Sequence, residues 1–231
     1  MERDLIGDLD VFERTNDFWT LSRNELLLKQ IEKQPIMDVG CGSGILTKQL
    51  VENGLDVYSL DVEKRAGELT SRFNSKSKIL VKSFHEITNK EVPQMGTVIF
   101  ADVLEHVDND VEFLLKAREL LKYNGCVLIS VPSYQFLWTK NDEVRGHKRR
   151  YSKKQLKNIL EYTGYRVEKM FYWNLLSVPM ILGAKILGAR IPHESISESK
   201  LNNILSMYFT NIENKITVPF GSTLICVARK V

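Results

Sequence analysis

Short apolar runs alternate along the chain with longer stretches of helical spacing. In residues 16–33, Phe18, Leu21, Leu26, Leu27 and Ile31 fall on one helical face. "PIMDV" then reads as a short buried strand, and "ILTKQLVEN" as a helix stopped by Gly54. "DVYSLD" is a second strand, "EKRAGELTSRFN" a helix, "KILVKSF" a third strand and "GTVIFAD" a fourth. "NDVEFLLKARELLKYNG" is an amphipathic helix expected to run to Asn124-Gly125, and "CVLISV" is a fifth strand ended by Pro132. The strands are continuous apolar runs without strict polar alternation. That pattern predicts an α/β fold with a parallel sheet covered on both faces. Beyond Pro132 the pattern changes. "SKKQLKNILEYTG" is a helix with Ser152 and Gln155 spaced as a capping box. "YRVEKMFYW" is a strand, 174–215 reads as helical and irregular, and "STLICVARK" is a final strand.

Length and composition (231 residues, 43% hydrophobic, 26% charged) suit one large domain over 1–231. Within it, about 1–34 forms an N-terminal helical cap and about 174–215 a helical insertion between the last two strands. The net charge of +3 is too mild to imply nucleic-acid binding. Cys41, Cys126 and Cys226 show no CxxC or metal-type spacing, which fits a reducing, cytoplasmic compartment. The start, "MERDLIGDLD", has no apolar core of a signal peptide. Residues 174–190 are the most apolar stretch, but Pro179 and Lys185 interrupt them short of a membrane span.

"MDVGCGSG" (37–44) lies between the first strand and the first helix, where an open α/β sheet exposes its carboxyl edge to ligands. Three glycines there exceed the needs of an ordinary turn, so a ligand against bare main chain is favoured. The spacing is Gly40-x-Gly42-x-Gly44. The dinucleotide fingerprint needs glycine at 45, which is Ile45, and Asp38 would repel a pyrophosphate. A nicotinamide oxidoreductase is therefore disfavoured, and a ligand with a positive centre suits Asp38. Asp61, at the end of the second strand, is placed to accept a ribose diol; its bland reading is a strand-end cap.

"IMDVGCGSG", "VYSLDVE", "VIFADVLEHVDND" and "LLKYNGCVLISVP" together resemble the successive motifs of class I S-adenosylmethionine-dependent methyltransferases over residues 36–132. The resemblance implies a seven-stranded Rossmann-like sheet of order 3-2-1-4-5-7-6, the last strand antiparallel, with helices on both faces. It also implies S-adenosyl-L-methionine as cofactor, the glycine loop facing its methionine portion and Asp61 its ribose. The third strand's end would meet the adenine, with Ser83 where many relatives carry Asp and Phe84 against the ring. The cofactor set so implied is Asp38, Gly40, Cys41, Gly42, Gly44, Asp61, Val62, Ser83, Phe84, Ala101 and Leu104, with Arg23 pairing the cofactor carboxylate. "DFWTLSRNELLL", "VPSYQFLWTKNDEVRGHKRRYSKKQL" and "VPFGSTLICVARK" resemble a branch of small methyltransferase-like proteins of uncertain substrate.

Methyl transfer from a sulfonium needs alignment and, for some acceptors, a base. His106 and His147 are the candidate catalytic residues. Some relatives with a similar "LEH" motif and a downstream histidine hold a divalent metal. Asp102, Glu105, His106 and His147 form the corresponding set here, and whether a metal is used stays open. The basic "RGHKRRYSKK" reads either as a solvated surface or as a grip on a substrate phosphate or carboxylate. Residues 171–191 suit core packing, a lid over an apolar acceptor, a dimer face or a peripheral membrane contact. The expectation is a methyltransferase acting on a small-molecule or lipid-like, phosphate-bearing acceptor. The alternatives are a metal-assisted O-methyltransferase and a non-catalytic binding module.

Overall fold

The computed structural model describes residues 17–73, 78–187 and 200–231. Because the apolar runs bury both of their faces, they pair side by side in one sheet. The strands are β1 (Ile36–Val39), β2 (Val57–Asp61), β3 (Lys78–Val81), β4 (Met95–Ala101), β5 (Leu121–Pro132), β6 (Tyr165–Trp173) and β7 (Thr223–Lys230). Their order is β3-β2-β1-β4-β5-β7-β6. β1 to β5 are parallel, and β7 runs antiparallel between β5 and β6. This is the sheet that the resemblance implies.

Alternate residues of each strand enter different cores, as the pleat requires. Met37, Phe100 and Ile129 join one cluster, and Ile36, Ile99 and Leu128 the other. The helices covering these faces are α1 (Phe18–Leu28), α2 (Ile45–Glu52), α3 (Lys64–Ser71), α4 (Asp110–Leu120), α5 (Lys140–Val144), α6 (Lys153–Tyr162), α7 (Ser177–Leu187) and α8 (Lys200–Asn211). Asp17 caps α1 by accepting from the Trp19 and Thr20 amides. The Ser152–Gln155 capping box opens α6 as the sequence predicts.

One boundary differs. α4 ends at Leu120, and β5 begins at Leu121 opposite Met95, before the expected Asn124-Gly125 stop. Leu120 and Leu121 are both fully buried, so they fit a helical or a strand period equally well. Asn124 (φ 62) instead takes up a register shift within the β4–β5 pairing.

The insertion between β6 and β7 closes back on α1. Phe209 of α8 stacks on Phe18 at 5.4 Å, and the Phe18 amide donates to Asn202 Oδ1 at 2.8 Å. Trp173 is core, as its default reading has it; its indole donates to Asn214 Oδ1, and the Asn214 amide donates to the Ser22 carbonyl. Among the described residues no helix is long and apolar enough to cross a membrane.

The carboxyl edge carries local strain. Asp102 (φ 58) after β4, Tyr134 (φ 57) after β5 and Asn174 (φ 64) after β6 all hold left-handed backbone without being glycine. Gly221 completes this edge, since a Cβ there would lie 2.2 Å from the Trp173 carbonyl oxygen. Gly221→Ala is expected to cost about 1–3 kcal/mol by overpacking. The urea midpoint should fall accordingly, and an unchanged midpoint would contradict the contact.

Candidate active site

Glycine at 40 and 44 answers two internal demands. Both have positive φ (+70 and +78). A Cβ at Gly40 would sit 2.8 Å from Val103 Cγ2, and one at Gly44 would sit 2.8 Å from Thr70 Cα. Glycine therefore lets the loop after β1 nestle between the loop after β4 and α3. The Gly40 main chain remains exposed. Gly44 caps α2 without a side chain, so amides of the first turn point outward with the positive end of the helix dipole.

Asp61 both closes the loop and keeps capacity for a ligand. The Gly42 amide donates to its Oδ2 and the Glu63 amide to its Oδ1, each at 2.9 Å. One donor per oxygen leaves lone pairs on both for a diol. Val62 beside it is 65% exposed, whereas Cys41 is buried with Sγ 3.5 Å from Thr70 Oγ1. Asp38 lies beneath the loop, 1% exposed, accepting from Thr47 Oγ1 at 2.7 Å. Burial pushes its pKa up to about 6, against the Thr47 hydrogen bond and the field of Arg23. An exposed main-chain loop, an uncapped helix start and two carboxylates make a donor and acceptor set that fits a cationic nucleoside bearing a carboxylate.

The other residues of the expected cofactor set turn in different directions. Phe84 is 3% exposed and packs on Phe100 and Phe113, so it offers almost no ring face to an adenine. Ser83 turns its hydroxyl into a capping box with Glu86. Leu104 is fully buried; its carbonyl accepts from the Tyr151 hydroxyl. Ala101, half-buried, packs beside the cluster that contains Ile99. Arg23 forms an ion pair with Asp102 and lies 4.9 Å over the Trp19 ring. Asp102 also accepts from Ser130 Oγ at 3.1 Å, which places it with Arg23.

Glu105, His106 and His147 do come together: one ligand atom from each lies within 4.8 Å of the others. The Lys148 amide donates to the Glu105 carbonyl at 2.7 Å, drawing the loop after α5 against the loop after β4. The two imidazoles meet edge to face at 4.8 Å. Glu105 is 1% exposed, and its Oε2 has no partner. Burial, then the charge of Asp102, raises its pKa well above the carboxylate range. His106, at the solvent edge, is drawn down to about 4 by desolvation and then by His147.

The basic run is turned inward only in part. Lys148 pairs with Asp108 at the surface, Arg149 with Asp110 at 3.1 Å, and the buried Arg150 with Asp142 at 2.8 Å. Arg145 remains exposed. Arg150 is thereby committed to an internal carboxylate, which takes it out of any grip on a substrate anion. Asp142 escaped the sequence reading. The T-x-x-D spacing of Thr139 and Asp142 was its available signal, and the two form the capping box of α5.

A family model described as a methyltransferase domain matches residues 11–170. Similar proteins include the ubiquinone biosynthesis O-methyltransferase of Rickettsia typhi, 28% identical over 131 residues (54% of this chain, 52% of the relative). That of Histophilus somni is 30% identical over 115 residues (46% and 48%). The chain spans about half the length of these curated relatives. Among solved structures, an S-adenosylmethionine-dependent methyltransferase from Archaeoglobus fulgidus superposes with TM-score 0.60 at 20% identity over 92% of each chain. One from Thermotoga maritima, described as a possible histamine N-methyltransferase, gives TM-score 0.65 at 14% identity over 98% and 96%. At these identities the structures speak for the fold, which is shared throughout. The family match covers well over half of the sequence, and the chain belongs to the methyltransferase-domain family, on the class I S-adenosylmethionine-dependent fold.

Proposed function

We propose that the chain transfers a methyl group from S-adenosylmethionine to an oxygen of a small acceptor with an apolar portion, assisted by a divalent cation. One observation carries the acceptor side of this reading. A buried carboxylate oxygen, Glu105 Oε2, lacks any partner and stands beside two imidazoles. Buried polar atoms without partners are rare and costly, so this oxygen asks for a cation or a donor. Opposite ligand atoms around a Zn²⁺- or Mg²⁺-sized ion lie at most about 4.2 Å apart, twice a metal–ligand distance of about 2.1 Å. A small inward shift of the three side chains would meet that limit.

On the cofactor side, Asp61 accepts the ribose hydroxyls, the exposed Gly40 main chain lies along the methionine portion, and the α2 start faces its carboxylate. When bound there, S-adenosylmethionine supplies a methyl group on a positively charged sulfur, open to in-line displacement. Glu105, His106 and His147 would hold the cation, whose charge lowers the pKa of an acceptor hydroxyl. His106, neutral at physiological pH, keeps a lone pair for the cation or the acceptor proton. After β5 and before β7, at the same carboxyl edge of the sheet, a cavity of about 360 Å³ is lined by Tyr134, Phe136, Leu137, Val178, Pro219 and Phe220. This apolar wall supports an acceptor with a hydrocarbon or aromatic body. The O-methyltransferase names of the Rickettsia and Histophilus relatives support oxygen as the methylated atom.

Asp61→Ala should weaken S-adenosylhomocysteine binding at least about tenfold by calorimetry. Unchanged affinity would sink the cofactor assignment. With a panel of phenolic acceptors, chelation should slow methyl transfer at least about tenfold, Mn²⁺ should restore it, and Glu105→Gln should respond to neither. Binding of the cofactor without any turnover across the panel would favour the binding module instead.

Asp38 adds a pH signature. In the ligand-free fold its pKa rises from 3.8 to about 6, so the folded state prefers the protonated acid. Its contribution to stability is therefore greatest at low pH and is lost as pH climbs through about 6, by about 3 kcal/mol at about 1.4 kcal/mol per unit. Asp38→Asn should be more stable than wild type near pH 8 by about that amount, with the gap closing towards pH 4. Urea unfolding across this range measures it, and parallel curves would refute it.

A further inference from the structure

Asp142 is 1% exposed and gathers more partners than a helix cap needs. Its Oδ1 meets His147 Nδ1 at 2.9 Å and accepts from Arg150 Nε at 2.8 Å. Its Oδ2 accepts from Arg150 Nη2 at 2.9 Å and from the Thr139 amide at 2.8 Å. Arg150 in turn donates to the Ser133 carbonyl, anchoring the group to the end of β5. His147 stands on a loop, where side chains are ordinarily imprecise, yet this buried carboxylate fixes its ring.

The chemistry of the contact decides the proton. Arg150 pairs with Asp142 across both oxygens and the Thr139 amide adds a third donor, a set that fits the ionised carboxylate. An ionised carboxylate only accepts, so the Nδ1–Oδ1 contact requires the hydrogen on Nδ1. A neutral imidazole carries one such hydrogen, which leaves Nε2 as the nitrogen with a lone pair. With Nδ1 committed to Asp142, Nε2 is the atom available to the centre that His147 shares with Glu105 and His106.

We propose that Asp142 is a positioning residue of the acceptor site, holding His147 as the tautomer protonated on Nδ1 and so assigning the Nε2 lone pair to the Glu105–His106–His147 centre. The proposal rests on reading that centre as the acceptor site, and it adds a residue that touches neither acceptor nor cofactor. Arg150 neutralises the carboxylate, so Asp142 orients the ring without adding net charge to the centre.

Long-range ¹H–¹⁵N spectra of the ligand-free wild type test this directly, with His147→Gln used to assign the ring. Whenever the His147 ring is neutral its proton should sit on Nδ1; a neutral ring protonated on Nε2 overturns the proposal. In Asp142→Asn that tautomer should lose its dominance, and Mn²⁺ affinity by calorimetry should fall about 10–100-fold. S-adenosylhomocysteine affinity should hold and report an intact fold. A folded variant with the wild-type tautomer and Mn²⁺ affinity also overturns it. If the variant does not fold, the wild-type spectrum still decides. An Nδ1-protonated ring that Asp142→Asn releases, in a protein that never binds Mn²⁺, would support the positioning role and remove only the cation from the proposed function.

Discussion

The approach of Gly40 to Val103 is the constraint on which both halves of the site depend. β1 pairs with β2 on one side and with β4 on the other, so the strand order turns around between β1 and β4. In open α/β sheets that turning point opens a crevice at the carboxyl edge. The loop after β1 carries the ligand-facing main chain, and the loop after β4 carries Asp102, Glu105 and His106. A Cβ at position 40 would sit 2.8 Å from a methyl of Val103, so either that side chain or the loop would have to shift. The missing side chain therefore lets the two loops meet in one crevice.

A second constraint supplies His147 from far along the chain. The loop after α5 is stitched to the rest by main chain and by charge. The Lys148 amide bonds the Glu105 carbonyl, the Tyr151 amide the Pro132 carbonyl, and Tyr151 Oη donates to Leu104 and Asp110. The conspicuous basic residues between them are part of this stitching. Lys148, Arg149 and Arg150 each meet a carboxylate of this chain, though only the Arg150–Asp142 pair is fully internal.

The fold was legible because its strands are uninterrupted apolar runs, a pattern with few alternatives once helices alternate with them. The place of the glycine loop was legible for a related reason: Asp38, the three glycines and Asp61 each sit at or just after a strand end, and strand ends can be read locally. Phe84 and Leu104 were not, because a motif gives a residue's position and leaves open which way its side chain turns; both turn into the core. The end of α4 was hidden by two adjacent buried leucines that satisfy either period. Asp142 and the Arg23–Asp102 pair were hidden by distance along the chain, since ion pairs between separate elements leave no periodic trace.

Acids at and near this edge differ in what neutralises them. Asp142 has a guanidinium bound across both oxygens, and the part-exposed Asp102 has Arg23. Asp38 and Glu105 are as buried as Asp142 and have no such partner: Asp38 has the Thr47 hydroxyl, and one oxygen of Glu105 has nothing. Both of these acids have raised pKa values, which is the cost of burying a charge without a counterion. A fold that equips Asp142 and Asp102 with arginines has the means to neutralise a carboxylate. Where it leaves Asp38 uncompensated beneath the glycine loop and Glu105 beside paired imidazoles, a bound positive charge would answer the demand on the proposed function; Glu213, which also lacks a counterion, shows that burial alone does not mark a site. A cationic cofactor suits the first position and a divalent ion the second. The two positions are linked through Arg23, whose charge acts on both Asp38 and Glu105 and whose guanidinium is paired with Asp102.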